Sequence, residues 1–440
     1  MTAGMAILIV MVGFLIVLFL GYPLSFALGG LGVIFGITMW SNPGVVNLFI
    51  RSVLNVCNNT SYVSMILFIL MGCILERSGA SDDMFETIRV IFGRMRGGIA
   101  IGVIVLCTLL GAATGIIGAS ISMMTLLALP AMMKYKYNKP LTYGVIMSAG
   151  CLGTIIPPSI ILVIYGAQAQ ISIGKLFAGG LGAGLLLSFL YLIYVVVMNI
   201  LHKDWGPAIT QEELSVYTSA MKAKLVVKSL LPTAILIFLV LGSIMLGVAT
   251  PTEAAALGVV GSAAIALMYG KFNWKMLQES LYNTFLTHTM IMWIIMAASL
   301  FTAVFLGLGG NQVINDFLVS LDVNRWMLFS VICVIVVIMG MFIDSYGVLL
   351  IGIPIFTPVV YALGFDPLWF AIIFAVLIQM SYLSPPFAYA AFYVKGVAKE
   401  NIPIGEIYMA SIPFLLLQVV AIIILCMLPE IITWLPSHIM

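Results

Sequence analysis

Asp344 is the one carboxylate in the centre of a long apolar run, residues 327–363, with Ser345 and Tyr346 beside it. A carboxylate that deep in an apolar segment serves an ion or a proton, or caps a chain reversal by accepting amide hydrogens. The residues alone leave both roles open. Hydroxyls and glycines gather in three further places: GAATGIIGAS from Gly111, GCLGTIIPPSIILVIYGA from Gly150, and IQMSYLSPPFAYAAF from Ile378. Sodium is a hard cation that takes oxygen ligands. Thr114, Ser120, Thr154, Ser345, Ser381 and Ser384 offer hydroxyls, and Gly118, Gly153 and Gly347 offer carbonyls in the same stretches. Each hydroxyl can equally bond to its own helix backbone. Positive helix N-termini at tips and breaks suit an anion, which makes Ala113, Gly115, Ser148, Pro157, Pro158, Tyr346, Pro385 and Pro386 candidates for contacting an anionic solute.

These stretches need elements to hold them. Pro157–Pro158 and Pro385–Pro386 each interrupt an apolar helix, because adjacent prolines remove two amide donors and restrict the residue before them. In hydrocarbon such a break survives only where it lines a cavity or binds an ion. The two breaks lie 228 residues apart, as do Pro23 and Pro251, Gly30 and Gly258, and Pro130 and Pro358; ISIGKLFAGG returns as IPIGEIYMAS at 231. The chain is therefore two homologous halves. Paired breaks at matching places of two half-chains point to the site of a secondary transporter.

Composition agrees. Hydrophobic residues make up 63% of the 440 and charged residues 8%, against roughly 25% charged in soluble domains. The fold class expected is an all-α polytopic membrane protein. A net charge of +2 implies no nucleic-acid partner. The six cysteines lie mostly in or beside apolar runs and read as small packing residues, and His202, His288 and His438 form no metal set. Glu253 reads as a helix cap near a membrane surface. There is no Ser-His-Asp set, HExxH or Walker loop.

Residues 98–133 are flanked by Arg94 and Arg96 on one side and by Lys134 and Lys136 on the other. Both flanks then face the cytoplasm, and each apolar arm is too short for the roughly 20 residues a crossing needs. The segment reads as a re-entrant hairpin with its tip at GAATGIIGAS. The second half matches it with residues 327–363, tip GMFIDSYGV. The expected organisation is a first inverted repeat over 1–203 (hairpin 98–133, broken helix 140–169), a cytoplasmic linker over 204–228, and a second repeat over 229–440 (hairpin 327–363, broken helix 367–394). Five crossings per half invert the second repeat and place both termini outside. Hairpins and broken helices would move as one body against the remaining spans, with Gly29, Gly30 and Gly32 permitting close sliding.

The combination of GAATGIIGAS, LTYGVIMSAGCLGTIIPPSIILVIYGAQAQISIGKLFAGG, ATPTEAAALGVV and GMFIDSYGVLLIGIPIFTPVVYALGFDP resembles the large membrane subunit of the tripartite ATP-independent periplasmic (TRAP) transporters, over essentially the whole chain. Many members carry a Ser-Gly-Ser type sequence at the first tip; here Ala113-Thr114-Gly115-Ile116 leaves Thr114 the one nearby hydroxyl. The resemblance implies a sodium-coupled, elevator-type importer in a bacterial inner membrane, with sodium as the co-transported ion and no organic cofactor. It implies a small four-helix membrane subunit as a separate chain, a periplasmic substrate-binding protein, and an organic-acid substrate such as a carboxylate or sugar acid. Other readings are a stand-alone sodium–carboxylate symporter of the same fold without a binding protein, and a scaffold or channel-forming membrane protein.

Overall fold

A chain in hydrocarbon satisfies its amides most simply within its own helices, and every described element is helical. The structure, a computed structural model, describes residues 3–40, 44–115, 117–313, 316 and 324–439. Side chains at 3, 19 and 112–114 lie outside that description, so the candidates Ala113 and Thr114 are placed by backbone only; Met1 and Met440 lie outside it too.

The first half runs α1 (Ala3–Phe19), α2 (Leu24–Met39), α3 (Val45–Cys57), α4 (Ser61–Arg77) and α5 (Ala80–Phe92). A hairpin of α6 (Gly98–Thr114) and α7 (Ile117–Lys134) follows. The broken helix is α8 (Lys139–Gly150), a 3-10 turn (Cys151–Thr154) and α9 (Ile160–Ala169), and α10 (Ile173–Leu201) completes the half. After the short α11 (Gln211–Ser215) come α12 (Ser219–Met245), α13 (Pro251–Met268) and α14 (Trp274–Gly307). A second hairpin is made of α15 (Arg325–Phe342) and α16 (Ser345–Ala362). The second broken helix is α17 (Pro367–Leu383) with α18 (Tyr389–Val397), followed by α19 (Ile404–Met427) and α20 (Glu430–Ile439).

The two halves repeat one series: α7 and α16 start at 117 and 345, α8 and α17 at 139 and 367, both 228 apart. Their inversion is visible where the equivalent last spans meet. Tyr191 of α10 meets Gln418 of α19, and Tyr194, further along α10, meets Phe414, further back on α19. The two helices therefore run antiparallel. One pair departs from the repeat. α3 and α4 meet at a 48° bend, where the Asn59 side chain accepts from the Ser61 amide at 3.0 Å, whereas α14 runs unbroken for 34 residues.

The hairpins pack on the breaks and on each other's halves: α6 and α7 on α8, α15 and α16 on α17, α16 on α9, and α18 on α7. Outside this body, α2 packs on α14 and α4 on α13. The seam between body and outer spans is crossed by Gln168 of α9, which donates to Tyr62 of α4 at 3.1 Å, and by Leu24 of α2 against Gly347 of α16. This corrects the sliding role expected of the α2 glycines. A Cβ on Gly29 would meet Ala297 at 3.4 Å and one on Gly32 would meet the Phe301 amide at 3.0 Å, both on α14, while Gly30 faces open space. The small residues let two outer helices approach closely; none faces the hairpin body.

The linker is also more than a tether. Its helix from Ser219 runs straight into the apolar α12, because Lys222, Lys224 and Lys228 lie in helical continuity with that span and long lysines carry charge to the interface. The Gly206 carbonyl accepts from Gly97, Ile209 donates to the Gly93 carbonyl, and Asn138 donates to the Trp205 carbonyl, so the linker closes the base of the first hairpin. Around it, Arg89 of α5 bonds Glu86 at 2.7 Å, the Tyr135 hydroxyl at 2.9 Å and Glu213 at 3.3 Å. Tyr135 and Tyr217 donate to Glu213 and Glu86. α20, a second unexpected element, folds back on α10, with Ile431 and Ile432 over Gly182 and Gly179.

The Tyr135 hydroxyl, with Lys134 and Arg89, holds Glu213 below the usual carboxylate range. Glu86 is pushed up by burial, yet Arg89 and Tyr217 hold it below that range as well. Depressed carboxylates stabilise the fold at neutral pH and lose that contribution as pH falls through their folded values. Arg89→Ala is expected to cost about 1–2 kcal/mol, read as a lower thermal midpoint of the purified protein. Its deficit should shrink below about pH 4 as Glu86 and Glu213 protonate. Lys134→Ala, at a side chain 66% exposed, should leave the midpoint unchanged.

Candidate functional site

The first break is sealed. Asn138 caps α8 by accepting from the Leu141 amide at 3.1 Å, and Pro157–Pro158, a cis peptide, stops the helix from running on. Ser159 restarts it as the cap of α9 and donates to the Thr154 carbonyl, one of the acceptors the prolines free. Thr154 donates to the Cys151 carbonyl at 2.8 Å, and Ser148 to the Gly144 carbonyl at 2.7 Å. Every residue from Cys151 to Tyr165 is buried. The hairpin seats on this turn backbone to backbone: a Cβ on Gly111 would stand 2.8 Å from the Gly153 Cα. Gly153 thus serves close packing. Gly115 ends α6 at φ +59 with the Pro158 carbonyl against it.

The second break is built alike but opens. Asp344 is the cap of α16, accepting from the Tyr346 amide at 3.1 Å. Tyr382 donates to Ser345 at 2.5 Å across the hairpin–helix contact. Ser381 lies against Gly340, and Ser381 and Ser384 donate to the Leu377 and Met380 carbonyls at 3.2 and 2.8 Å. Pro385–Pro386 is again cis, but here Pro386 and Phe387 are exposed, and the Pro386 carbonyl accepts from Tyr408 at 2.7 Å.

Two tyrosines carry each half across to the other. Tyr165 of α9 and Thr357 of α16 share a hydrogen bond of 3.0 Å. Tyr393 of α18, the counterpart of Tyr165 at an offset of 228, lies against Gly118 of the first hairpin. The structure therefore gathers Asp344, Ser345, Tyr346 and Ser381 on one side, and Gly118 reaches them through Tyr393. Tyr382, Tyr389 and Tyr393 lie close enough to the Asp344 carboxyl to interact with it electrostatically. Thr154, Gly153, Pro157, Pro158 and Ser148 belong to the sealed first break, Gly347 packs on Leu24, and Ser120 is buried on α7.

Sequence reasoning passed over Tyr382, Tyr389 and Tyr393. Their signal was the run SYLSPPFAYAAFY, in which tyrosines flank the break on both sides, but aromatic residues in a membrane helix read equally as packing. A hydroxyl that gives its hydrogen to a helix carbonyl still presents lone pairs, so Ser381, Ser384 and Thr154 keep the capacity to ligate a cation. No three of His, Cys, Asp and Glu converge among the described residues, so a cation here would be held by hydroxyls, carbonyls and one carboxylate.

Paired hairpins seated on paired broken helices, with hydroxyls and one carboxylate gathered at tips and breaks, define a multi-pass membrane permease with internal inverted symmetry. The family described as tripartite ATP-independent periplasmic transporter, DctM component, matches residues 11–431, and the chain belongs to it. It is 31% identical to the C4-dicarboxylate TRAP transporter large permease protein DctM of Pseudomonas aeruginosa, over 84% of each chain. It is 24% identical to the ectoine TRAP transporter large permease protein TeaC of Halomonas elongata, over 94% of this chain and 95% of that one. Among solved structures it shares its fold with the Alcanivorax borkumensis YdaH transporter, at a TM-score of 0.67 and 16% identity, covering 92% and 97% of the two chains. The chain is a transporter permease subunit and not an enzyme.

Because Gly111 faces immovable backbone, Gly111→Ala should destabilise the protein by about 1–3 kcal/mol. Gly396→Ala, in open space on a helix, should be neutral or stabilising by up to about 1 kcal/mol. Thermal midpoints of the two purified variants check the pair.

Proposed function

We propose that this chain is the permease subunit of a sodium-coupled importer that takes an organic acid from a periplasmic binding protein and carries it inward by an elevator movement. The observation that carries this reading is the interlock of the hairpin body. Each broken helix is seated on its own hairpin and reaches across to the other half, through Tyr165 to Thr357 and through Tyr393 to Gly118. Separating these elements in lipid would expose freed backbone groups, each at several kcal/mol. The body as a whole can move against α2, α4 and α14, where its polar tie is the single described bond from Gln168 to Tyr62. Sodium would be held around Asp344, Ser345 and Ser381, and the anionic solute between the tips beside Tyr389 and Tyr393. The exposed Pro386–Phe387 edge is followed by α18 with Lys395 and then by Lys399, which supports a site open towards the basic, cytoplasmic side.

Relatives named for a C4-dicarboxylate and for ectoine support a small organic solute, and the first of them an organic acid, as the substrate. A small four-helix membrane subunit would sit on the outer spans, and the assembly would lie in a bacterial inner membrane with both termini periplasmic.

Asp344→Asn separates the two roles of Asp344, because asparagine caps a helix about as well as aspartate while carrying no charge. In proteoliposomes supplied with the matching binding protein and small subunit, the variant should fold normally and need at least ~10-fold more sodium for half-maximal uptake, about 1.4 kcal/mol of lost cation binding. Wild-type sodium dependence would make Asp344 a cap alone. Equal uptake without the binding protein would point to a stand-alone symporter instead.

The movement has its own test. A disulfide between cysteines replacing Tyr62 and Gln168 should arrest uptake until it is reduced. One between cysteines replacing Tyr165 and Thr357, inside the body, should leave most of it. Arrest by both would mean that the hairpins gate separately.

A further inference from the structure

The transport body also contains polar groups that neither tips nor breaks use. Gln379 of α17 is completely buried, and neither its Nε2 nor its Oε1 has a hydrogen-bond partner. Gln418 of α19 is equally buried; its Nε2 donates to the Tyr191 hydroxyl at 2.9 Å, while its Oε1 has no partner. A sealed amide with nothing to bond is strongly disfavoured, so each such group implies an occupant.

The packing brings these groups to one level. α17 and α19 are tied twice, Trp369 Nε1 donating to the Leu425 carbonyl and Tyr408 to the Pro386 carbonyl. The first tie joins the start of α17 to the end of α19, and the second joins the break just beyond α17 to the start of α19, so the helices run antiparallel. Gln379 then lies level with residue 415, and Gln418 stands about one turn, ~4.5 Å, away along the axis. Ile372 of α17 rests against Gly179 of α10. Gln379, two turns further on, shares that face and turns towards the helix that carries Tyr191.

The place is also special by symmetry. At the repeat offset of 228, the counterpart of Gln379 is Cys151, on the 3-10 turn that packs directly on α17. Equivalent positions on elements in mutual contact lie beside the pseudo-twofold axis. α10, α17, α19 and the 3-10 turn all touch one another or α10, and Gln379, Gln418 and Tyr191 are each wholly buried among them.

We propose that Gln379, Gln418 and Tyr191 form a closed internal site on the pseudo-twofold axis that binds ordered water and not the coupling cation. The chemistry makes the choice. The groups seeking partners are one amide NH2, with two hydrogens to donate, and two amide oxygens that accept. Water donates two hydrogen bonds and accepts two, and so satisfies both kinds. Sodium would satisfy the oxygens and leave the NH2 facing a positive charge. The water joins the second broken helix to α10 and α19, the partner halves of the inverted pair. The inference stands on burial and packing alone and does not depend on the transport reading.

A density map of the wild-type assembly in lipid nanodiscs, at a resolution that shows waters elsewhere, tests it first. Density within hydrogen-bond distance of Gln379 Nε2 or Oε1, unchanged when sodium is exchanged for choline, is expected. Gln379 bonded directly to protein, or density that vanishes without sodium, would overturn the proposal. Gln379→Met, similar in volume and without polar atoms, should lose that density and leave the sodium concentration for half-maximal uptake within about twofold of wild type. A tenfold rise would make Gln379 a cation ligand. Should the variant fail to fold, the wild-type maps with and without sodium still decide.

Discussion

Every unusual feature of this protein answers to one constraint: a helix broken inside hydrocarbon must find partners for its freed backbone groups within the protein. At the first break Ser159 reaches back to the Thr154 carbonyl, and the hairpin glycine Gly111 lets backbone press on backbone at Gly153. At the second, Asp344 caps the hairpin arm and Tyr382 bonds Ser345 next to it. The hairpins are needed because the breaks are there, and the breaks can persist because the hairpins cover them.

The two halves answer that constraint unequally. Break one is buried throughout, while break two leaves Pro386 and Phe387 open and takes a hydroxyl from Tyr408 for its carbonyl. A perfectly symmetric pair would open on both faces or on neither. An inverted repeat can face one side only when its halves differ in conformation, and here they differ at the breaks and at the α3–α4 bend, whose counterpart α14 is unbroken.

The linker adds a second layer of order. The linker pairs its backbone with both ends of the first hairpin, and Arg89 gathers Glu86, Glu213 and Tyr135 around it. The base of that hairpin is thereby fixed to α5 and to the start of the second half, so the polar segment joining the halves is part of the fold that supports the site.

Much of this was legible in the residues. Paired prolines stop helices wherever they occur, a 228-residue offset declares a repeat, and apolar length with basic flanks identifies hairpins; all are properties of local backbone and solvent. Asp344 stood out for the same reason, as a charge in an apolar run. Local chemistry could not say that Gly29 and Gly32 face α14, that Tyr393 reaches Gly118 across the repeat, or that Gln379 is sealed without a partner. Those outcomes depend on contacts between residues far apart in the chain, and a hydroxyl, a glycine or a tyrosine on a membrane helix looks the same from sequence whichever neighbour it meets. The sequence by itself determined where most of the apolar helices run and where two of them break at paired prolines. Tertiary packing decided which break is sealed, which residues close on Asp344, and which polar groups are left to find a partner in the core.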